Sequence, residues 1–136
     1  SGDGTTTAEQ TLASYSMPAG TLTVGSRLAI RAVFQTGANG NNKTMKVYFG
    51  TTSASSGTVT GSAKVTTIGL NVVQTATAAQ TVSAEIVNDA TPAAGTLTLG
   101  TDSSASAIVI KATGTNGSNL PNQIYLADFY VQKFGN

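Results

Sequence analysis

The sequence contains neither cysteine nor histidine in its 136 residues. Without cysteine there is no disulfide framework and no thiolate zinc site, so stability has to come from packing or assembly. Without histidine or cysteine there is no Ser-His or Cys-His catalysis and no imidazole metal site. We therefore expect no cofactor and no metal centre. Calcium stays open as an alternative, because Asp, Asn and turn carbonyls can supply its oxygen ligands.

Charge is also scarce, with 7 basic and 6 acidic residues and a net charge of +1. Phosphate backbones and anionic membranes are bound by clusters of basic side chains. No apolar run approaches the ~18 residues of a membrane-spanning helix. We therefore expect no nucleic-acid partner and no membrane insertion.

The opening SGDGTTTAE offers nothing to bury. It predicts a flexible leader or linker over residues 1–9. The remaining residues, 10–136, fit one domain with a core of its own.

Threonine, valine and isoleucine recur in short alternating runs between glycines and prolines, which is typical of strands. In RLAIRAVF, for example, Leu28, Ile30, Ala32 and Phe34 share one face. Alanine makes a helix conceivable in VVQTATAAQTV, but its threonines favour strand or loop. The spacing predicts an all-β, antiparallel two-sheet jelly roll of about eight strands, namely TLASYSM, RLAIRAVF, KTMKVYFG, SAKVTTIGL, TVSAEIV, GTLTL, SAIVIKA and QIYLADFYVQK.

Asn39 and Gly40 tolerate positive φ and predict a hairpin tip between the second and third strands. The surrounding unit is repeated, since PAGTLTVG recurs as PAAGTLTLG and residues 36–49 align without a gap on residues 113–126. The repeat indicates either an internal duplication or the chance similarity expected in a Thr-, Gly- and Asn-rich chain.

Carboxylates are the only remaining groups for hydrolysis, and outside the leader they number four: Glu85, Asp89, Asp102 and Asp128. Asp102 lies in a GTDSS turn, where aspartate normally caps backbone amides. Asp128 alternates with Ile124, Leu126 and Tyr130, which predicts a subunit contact or a pair with a lysine. Of the functions considered, a carboxylate hydrolase ranks last, and no catalytic residue is assigned.

The segment from Tyr15 to Thr52 begins with YSMPAG, continues through GSRLAIRA and GANGNN, and ends with KTMKVYFGTT. It resembles a module of bacteriophage virion proteins with a Tyr-x-Ile-Pro-Ala-Gly start, a Gly-x-x-Leu-x-Ile-x-Ala strand, an Asn-rich loop and Lys-Thr-x-Lys-x-x-Phe-Gly-Gly-Thr. It departs from that pattern at Met17 and at Thr51. The matching positions are Tyr15, Pro18, Ala19, Gly20, Gly25, Leu28, Ile30, Ala32, Asn39, Asn41, Asn42, Lys43, Thr44, Lys46, Phe49, Gly50 and Thr52.

The resemblance implies a TNF-like jelly roll that assembles as a homotrimer with other virion proteins on the particle surface. The modules concerned occur on tail fibres, spikes, head fibres and capsid decoration proteins. The expected function is non-enzymatic, either host-surface attachment or particle stabilisation. The alternative is a carbohydrate-binding or adhesin module of a bacterial surface protein.

The last strand carries aromatic residues on both faces, and an isolated sandwich buries only one. We interpret them as a candidate subunit interface, against the alternative that the tyrosines are ordinary surface rings; they are Tyr125, Phe129, Tyr130 and Phe134. Arg27 and Arg31 face outward on their strand, either solvated or in reach of a neighbouring subunit's carboxylates. Contacts to a host-surface glycan are expected from loop amides at Asn39, Asn41, Asn42, Asn116 and Asn119.

Overall fold

The computed structural model describes residues 7–37, 39–93, 95–118 and 123–135, and within these ranges the secondary structure is entirely β. All eight predicted strands are present. Two further short strands, Thr52–Ser55 and Thr91–Pro92, were not predicted. The ten strands are β1 (Glu9–Met17), β2 (Arg27–Thr36), β3 (Lys43–Phe49), β4 (Thr52–Ser55), β5 (Val65–Ala76), β6 (Ala79–Asn88), β7 (Thr91–Pro92), β8 (Thr96–Gly100), β9 (Ile108–Asn116) and β10 (Ile124–Phe134).

The strands form two antiparallel sheets, as predicted for a jelly-roll-like sandwich. The small sheet has the order β1-β9-β3-β4. The large sheet has the order β10-β2-β5-β6, and the free edge of β6 pairs with β7 at one end and β8 at the other. In the described ranges no helix is long and apolar enough to cross a membrane.

The core lies between the sheets, where alternating side chains of both inner faces meet. The predicted inward face of β2 is confirmed, with Phe34 and Ala32 fully buried. The small sheet supplies Met45, Val47 and Phe49 from β3, which are buried to the same degree. The inner face of each sheet therefore forms the core, and the outer face of each sheet is available for contacts with other molecules.

The prediction of a hairpin at Asn39-Gly40 is wrong. β2 pairs with β5 and β10 in the large sheet, whereas β3 pairs with β4 and β9 in the small sheet. β2 and β3 therefore lie in different sheets and are not partners in a hairpin. An Asn-Gly pair signals a turn, but only long-range pairing decides whether the flanking strands are partners. The two copies of the repeat are also divided between the sheets. In the alignment of residues 36–49 with 113–126, the end of β2 corresponds to part of β9, and β2 and β9 lie in opposite sheets.

The segment VVQTATAAQTV forms the end of β5 and the start of β6, joined by a tight turn at Thr77 and Ala78. The threonines thus indicated the right structure. The first strand, β1, begins at Glu9, which is the last residue of the expected leader.

A β-bulge interrupts the regular alternation of β10 between Leu126 and Asp128. Before the bulge Ile124 and Leu126 face the core, and after it Phe129 and Val131 do. The prediction that Asp128 shares a face with Ile124 and Leu126 is therefore wrong. The extra residue moves Asp128 to the outer face.

Candidate functional site

The two outer faces of the sandwich differ in chemistry. In the described ranges, nine large apolar side chains are exposed, and six of them lie on the outer face of the large sheet: Val65, Leu97, Leu99, Tyr125, Tyr130 and Phe134. The outer face of the small sheet instead presents mainly serine, threonine, lysine and Tyr48 from β1, β3, β4 and β9. Clustering of apolar side chains on one face marks an interaction surface. We call it the apolar face.

A row of cross-strand neighbours runs through the centre of the apolar face. Tyr130 on β10 pairs with Arg31 on β2, Arg31 pairs with Gly69 on β5, and Gly69 pairs with Glu85 on β6. Because Gly69 has no side chain, the row has a gap between the arginine and the glutamate. This gap is the floor of an open groove of about 360 Å³. Asn71 from β5 also lines the groove.

The polar groups of this groove have no partners among the described residues. No side-chain hydrogen bond or ion pair joins Arg31, Asn71, Glu85 or Tyr130 to a described residue. Asp89, the acid nearest to Glu85 in the sequence, pairs with Lys64 at 2.8 Å. The groove therefore offers a cation, a carboxylate, an amide and a ring to something outside the chain.

The apolar face divides at β5 into two halves of different character. The half on β10 and β2, called the aromatic half, presents aromatic rings and both outward arginines together with one acid: Tyr125, Tyr130, Phe134, Arg27, Arg31 and Asp128. The half on β6 and β8, called the aliphatic half, presents Leu97, Leu99 and Glu85. The leucines are the most exposed of the large apolar side chains, at 69% and 76%.

Three of the four predicted interface residues lie on the apolar face. Tyr125, Tyr130 and Phe134 are 41–48% exposed there. Phe129 points the other way and packs against the core at the level of Ala32. Sequence reasoning missed the aliphatic half, although the alternating TLTL of β8 already places Leu97 and Leu99 on one face.

The predicted glycan-contact asparagines come from two loops that the fold brings together at one end of the sandwich. Asn41 donates a hydrogen bond from Nδ2 to Oγ of Ser118 at 2.8 Å. Asn42 accepts one at Oδ1 from Thr60, also at 2.8 Å. Asn116 is buried and pairs with Lys43 across the strands. Asn119 lies outside the described residues.

Lys43 organises the first of these loops from inside. Its side chain is 1% exposed, and its ammonium donates hydrogen bonds to the backbone oxygens of Asn39 at 2.8 Å and Asn41 at 2.7 Å. A third bond reaches Oδ1 of Asn39 at 3.2 Å. Burial lowers the pKa of this ammonium. The loop amides predicted to contact glycans are thus also the groups that hold the loop in shape.

The four carboxylates considered for hydrolysis are dispersed. Asp89 pairs with Lys64, and Asp102 accepts hydrogen bonds from the backbone N–H and the hydroxyl of Thr51, as expected of a turn aspartate. Glu85 and Asp128 share the apolar face but are three strand spacings apart, or about 14 Å. Paired glycosidase carboxylates lie about 5–9.5 Å apart. Glu85 and Asp128 are therefore too far apart to form such a pair.

A small polar cluster lies on the outer face of the small sheet. The hydroxyl of Tyr48 donates to the Glu9 carboxylate at 2.8 Å, and the Lys46 ammonium lies 3.2 Å from the same group. The ammonium of Lys111 lies 4.7 Å from the centre of the Tyr48 ring. Burial raises the pKa of Glu9, but the bonds from Tyr48 and Lys46 outweigh it, so the pKa is lowered overall. The cluster ties β1 to β3 across β9.

The chain was compared with protein-family models, curated proteins and solved structures. No protein-family model, curated protein or solved structure matches it. Within the described ranges no group of three or more acidic side chains is arranged to hold a metal ion. The apolar face, with its exposed apolar side chains and its groove, is the candidate functional surface.

Proposed function

We propose that this chain is a non-enzymatic structural module of a bacteriophage virion surface, and that it functions as a homotrimer whose copies cover one another's apolar face. The observation that carries the proposal is the concentration of Leu97, Leu99, Tyr130 and Phe134 on one sheet face while the opposite face is polar. The similarity of the segment Tyr15–Thr52 to phage virion modules supplies the biological setting. Host-surface attachment and particle stabilisation are the two roles that such a module serves, with other virion proteins as further partners.

The size of the apolar face supports burial between copies. Four long strands spaced by about 4.8 Å, each about 33 Å long for ten residues, and the short β7 and β8 beside them give a face of roughly 700 Å². A standard stable interface buries about 800 Å² on each partner. A ring of three would divide the face between two contacts, and the area buried on each copy over both contacts would be close to that of one standard interface.

The energy available also supports association. Full burial of one large apolar side chain contributes about 1.5–3 kcal/mol. The six side chains of the apolar face are 41–76% exposed, so covering them adds on the order of 7 kcal/mol in all. Association costs about 4–15 kcal/mol in lost translational and rotational freedom. The gain from apolar burial and the cost of association are of similar size, so the net free energy of association depends on the polar contacts.

The residues that carry the resemblance have structural roles in this fold. Ile30 and Phe49 are core residues, and Lys43 holds the loop around Asn39. Gly50 forms the tight turn between β3 and β4 with φ of 55°. The motif is thus suited to specifying the sandwich, while the apolar face supplies the contact.

The proposal is tested by replacing Leu97 and Leu99 together with serine. The matched control is Val109→Ser, which removes an apolar side chain that is 46% exposed on the outer face of the small sheet. Mass measured by light scattering should show three chains for the unchanged protein and for the control. The double variant should be a folded single chain. A double variant that stays trimeric would remove the apolar face from the proposal.

A carbohydrate-binding or adhesin module is the second candidate function. It is favoured by the groove, in which Tyr130 offers a ring and the side chains of Arg31, Asn71 and Glu85 offer donors and acceptors that have no partner in the described part of the chain. Sugars are bound by such combinations of a ring and polar groups. A glycan array with the unchanged protein and Tyr130→Ala separates the candidates. Binding that disappears in the variant, by a protein that stays a single chain, would favour the second.

A further inference from the structure

The division of the apolar face implies how two copies meet, provided that the proposed trimer exists. In a closed ring of three, each contact joins one patch of a copy to a different patch of the next copy. The aromatic half carries Arg27, Arg31 and Asp128, two positive charges and one negative, which sum to +1. The aliphatic half carries Glu85, which is −1. The halves are therefore complementary in charge, and each offers the other apolar cover.

We propose that the aromatic half of one copy packs on the aliphatic half of the next, and that Arg31 forms an ion pair there with Glu85 of the neighbouring copy. Both side chains lie in the central row, one on each side of Gly69. Neither has an ion-pair partner among the described residues. Tyr130 is the cross-strand neighbour of Arg31, and Leu97, which pairs with Ser83, is a diagonal neighbour of Glu85.

The surroundings make this pair important for the contact. When the apolar face is covered, both charges lose water, and an unpaired charge in such a place is costly. A bidentate arginine–carboxylate pair satisfies several donors and acceptors at once. The gap above Gly69 leaves room for the incoming side chain, since none of the residues that the structure describes fills it. The ion pair therefore fixes how the aromatic half of one copy is aligned on the aliphatic half of the next.

The pair is tested by charge reversal. Arg31→Glu places two like charges opposite one another in every contact, and Glu85→Arg does the same with the opposite sign. Each single variant should weaken association by about a hundredfold or more, because like charges at an interface repel strongly. The double variant Arg31→Glu with Glu85→Arg should restore the trimer. Lys111→Glu, an equal change of charge on the outer face of the small sheet, should leave association unchanged.

Mixing the two single variants distinguishes a pair between copies from a pair within one copy. Two of the three contacts in a mixed ring are complementary, whereas none is in a ring of one variant. Native mass spectrometry should therefore find complexes that contain both variants, and far fewer complexes in either alone. If the ion pair forms within one copy, mixing restores nothing, and each single variant lowers the unfolding midpoint of the dilute monomer.

The result separates the two proposals. An unchanged protein that is a single chain contradicts the trimer itself. A trimeric unchanged protein with single variants that also remain trimeric overturns only the ion pair. A double variant that is folded by circular dichroism but does not associate overturns it as well.

Discussion

The carboxylate of Asp102 occupies the space that a side chain on Gly50 would need. A β-carbon at Gly50 would overlap all three carboxyl atoms, and the same carboxylate accepts the hydrogen bonds of Thr51. The turn between β3 and β4 is thus closed by a residue 52 positions away in the chain. Glycine is required there for two reasons, its φ of 55° and this contact.

Gly50→Ala should lower the free energy of unfolding by more than Gly20→Ala does. Both glycines have positive φ, and a non-glycine residue in that region costs about 1–3 kcal/mol. Gly20 has no atom within 4 Å of an added β-carbon, so its variant measures the backbone cost alone. Urea unfolding gives both values. Equal losses at the two positions would mean that the Asp102 contact is unimportant.

Lys43→Met should lower the free energy of unfolding by about 2 kcal/mol. Hydrogen bonds from a charged donor contribute about 1.5–3 kcal/mol each, and the removed ion no longer has to be desolvated, which offsets part of the loss. Lys46→Met on the same strand is the control, because Lys46 is partly exposed and its pair with Glu9 is a surface ion pair. A larger loss at Lys46 would contradict the role given to the buried lysine.

Gly69→Val should separate folding from association. An added β-carbon at Gly69 meets only backbone oxygens at 3.8 and 4.0 Å, so the strand accepts a side chain there. Replacing glycine inside a strand should raise the free energy of unfolding by about 0.5–1 kcal/mol. The valine fills the groove, so association should weaken by about tenfold or more. Ser53→Val on the outer face of the small sheet is the control. Unchanged association in Gly69→Val would exclude the groove from the contact.

The Glu9 cluster should add a small pH dependence to stability. The pKa of Glu9 is lowered in the folded state from an ordinary value of 4.5, so its contribution is present above that pH and is lost as pH falls through the folded pKa. For a partly exposed surface pair we expect about 0.5 kcal/mol. Urea midpoints of the unchanged protein and Glu9→Gln should differ at pH 7 and converge near pH 3. A difference that persists at pH 3 would show that the carboxylate is not the cause.

Alternation in the sequence was sufficient to predict the strands and their inward faces. Eight strands were located because runs such as RLAIRAVF put Leu28 and Ile30 on one side. The short strands β4 and β7 have too few residues to show a period. The bulge of β10 and the placement of β2 and β3 in different sheets depend on pairings distant in sequence, which local patterns do not contain.

The candidate site was predictable only in part, for the same reason. The aromatic residues of β10 could be assigned to an interface because they exceed what one buried face can hold. The row from Tyr130 to Glu85 joins four strands spread over the chain, so it exists only once β2, β5, β6 and β10 are in register. The burial of Lys43 was likewise hidden, because lysine in an alternating strand normally faces water.

Sedimentation equilibrium of the unchanged protein over a range of dilutions tests the burial of the apolar face between copies most directly. The chain has a mass of 13.6 kDa. We predict a species of three times that mass at micromolar concentration that dissociates to folded single chains on dilution. A single chain of 13.6 kDa at every concentration, with the spectrum of a folded β protein, would contradict it.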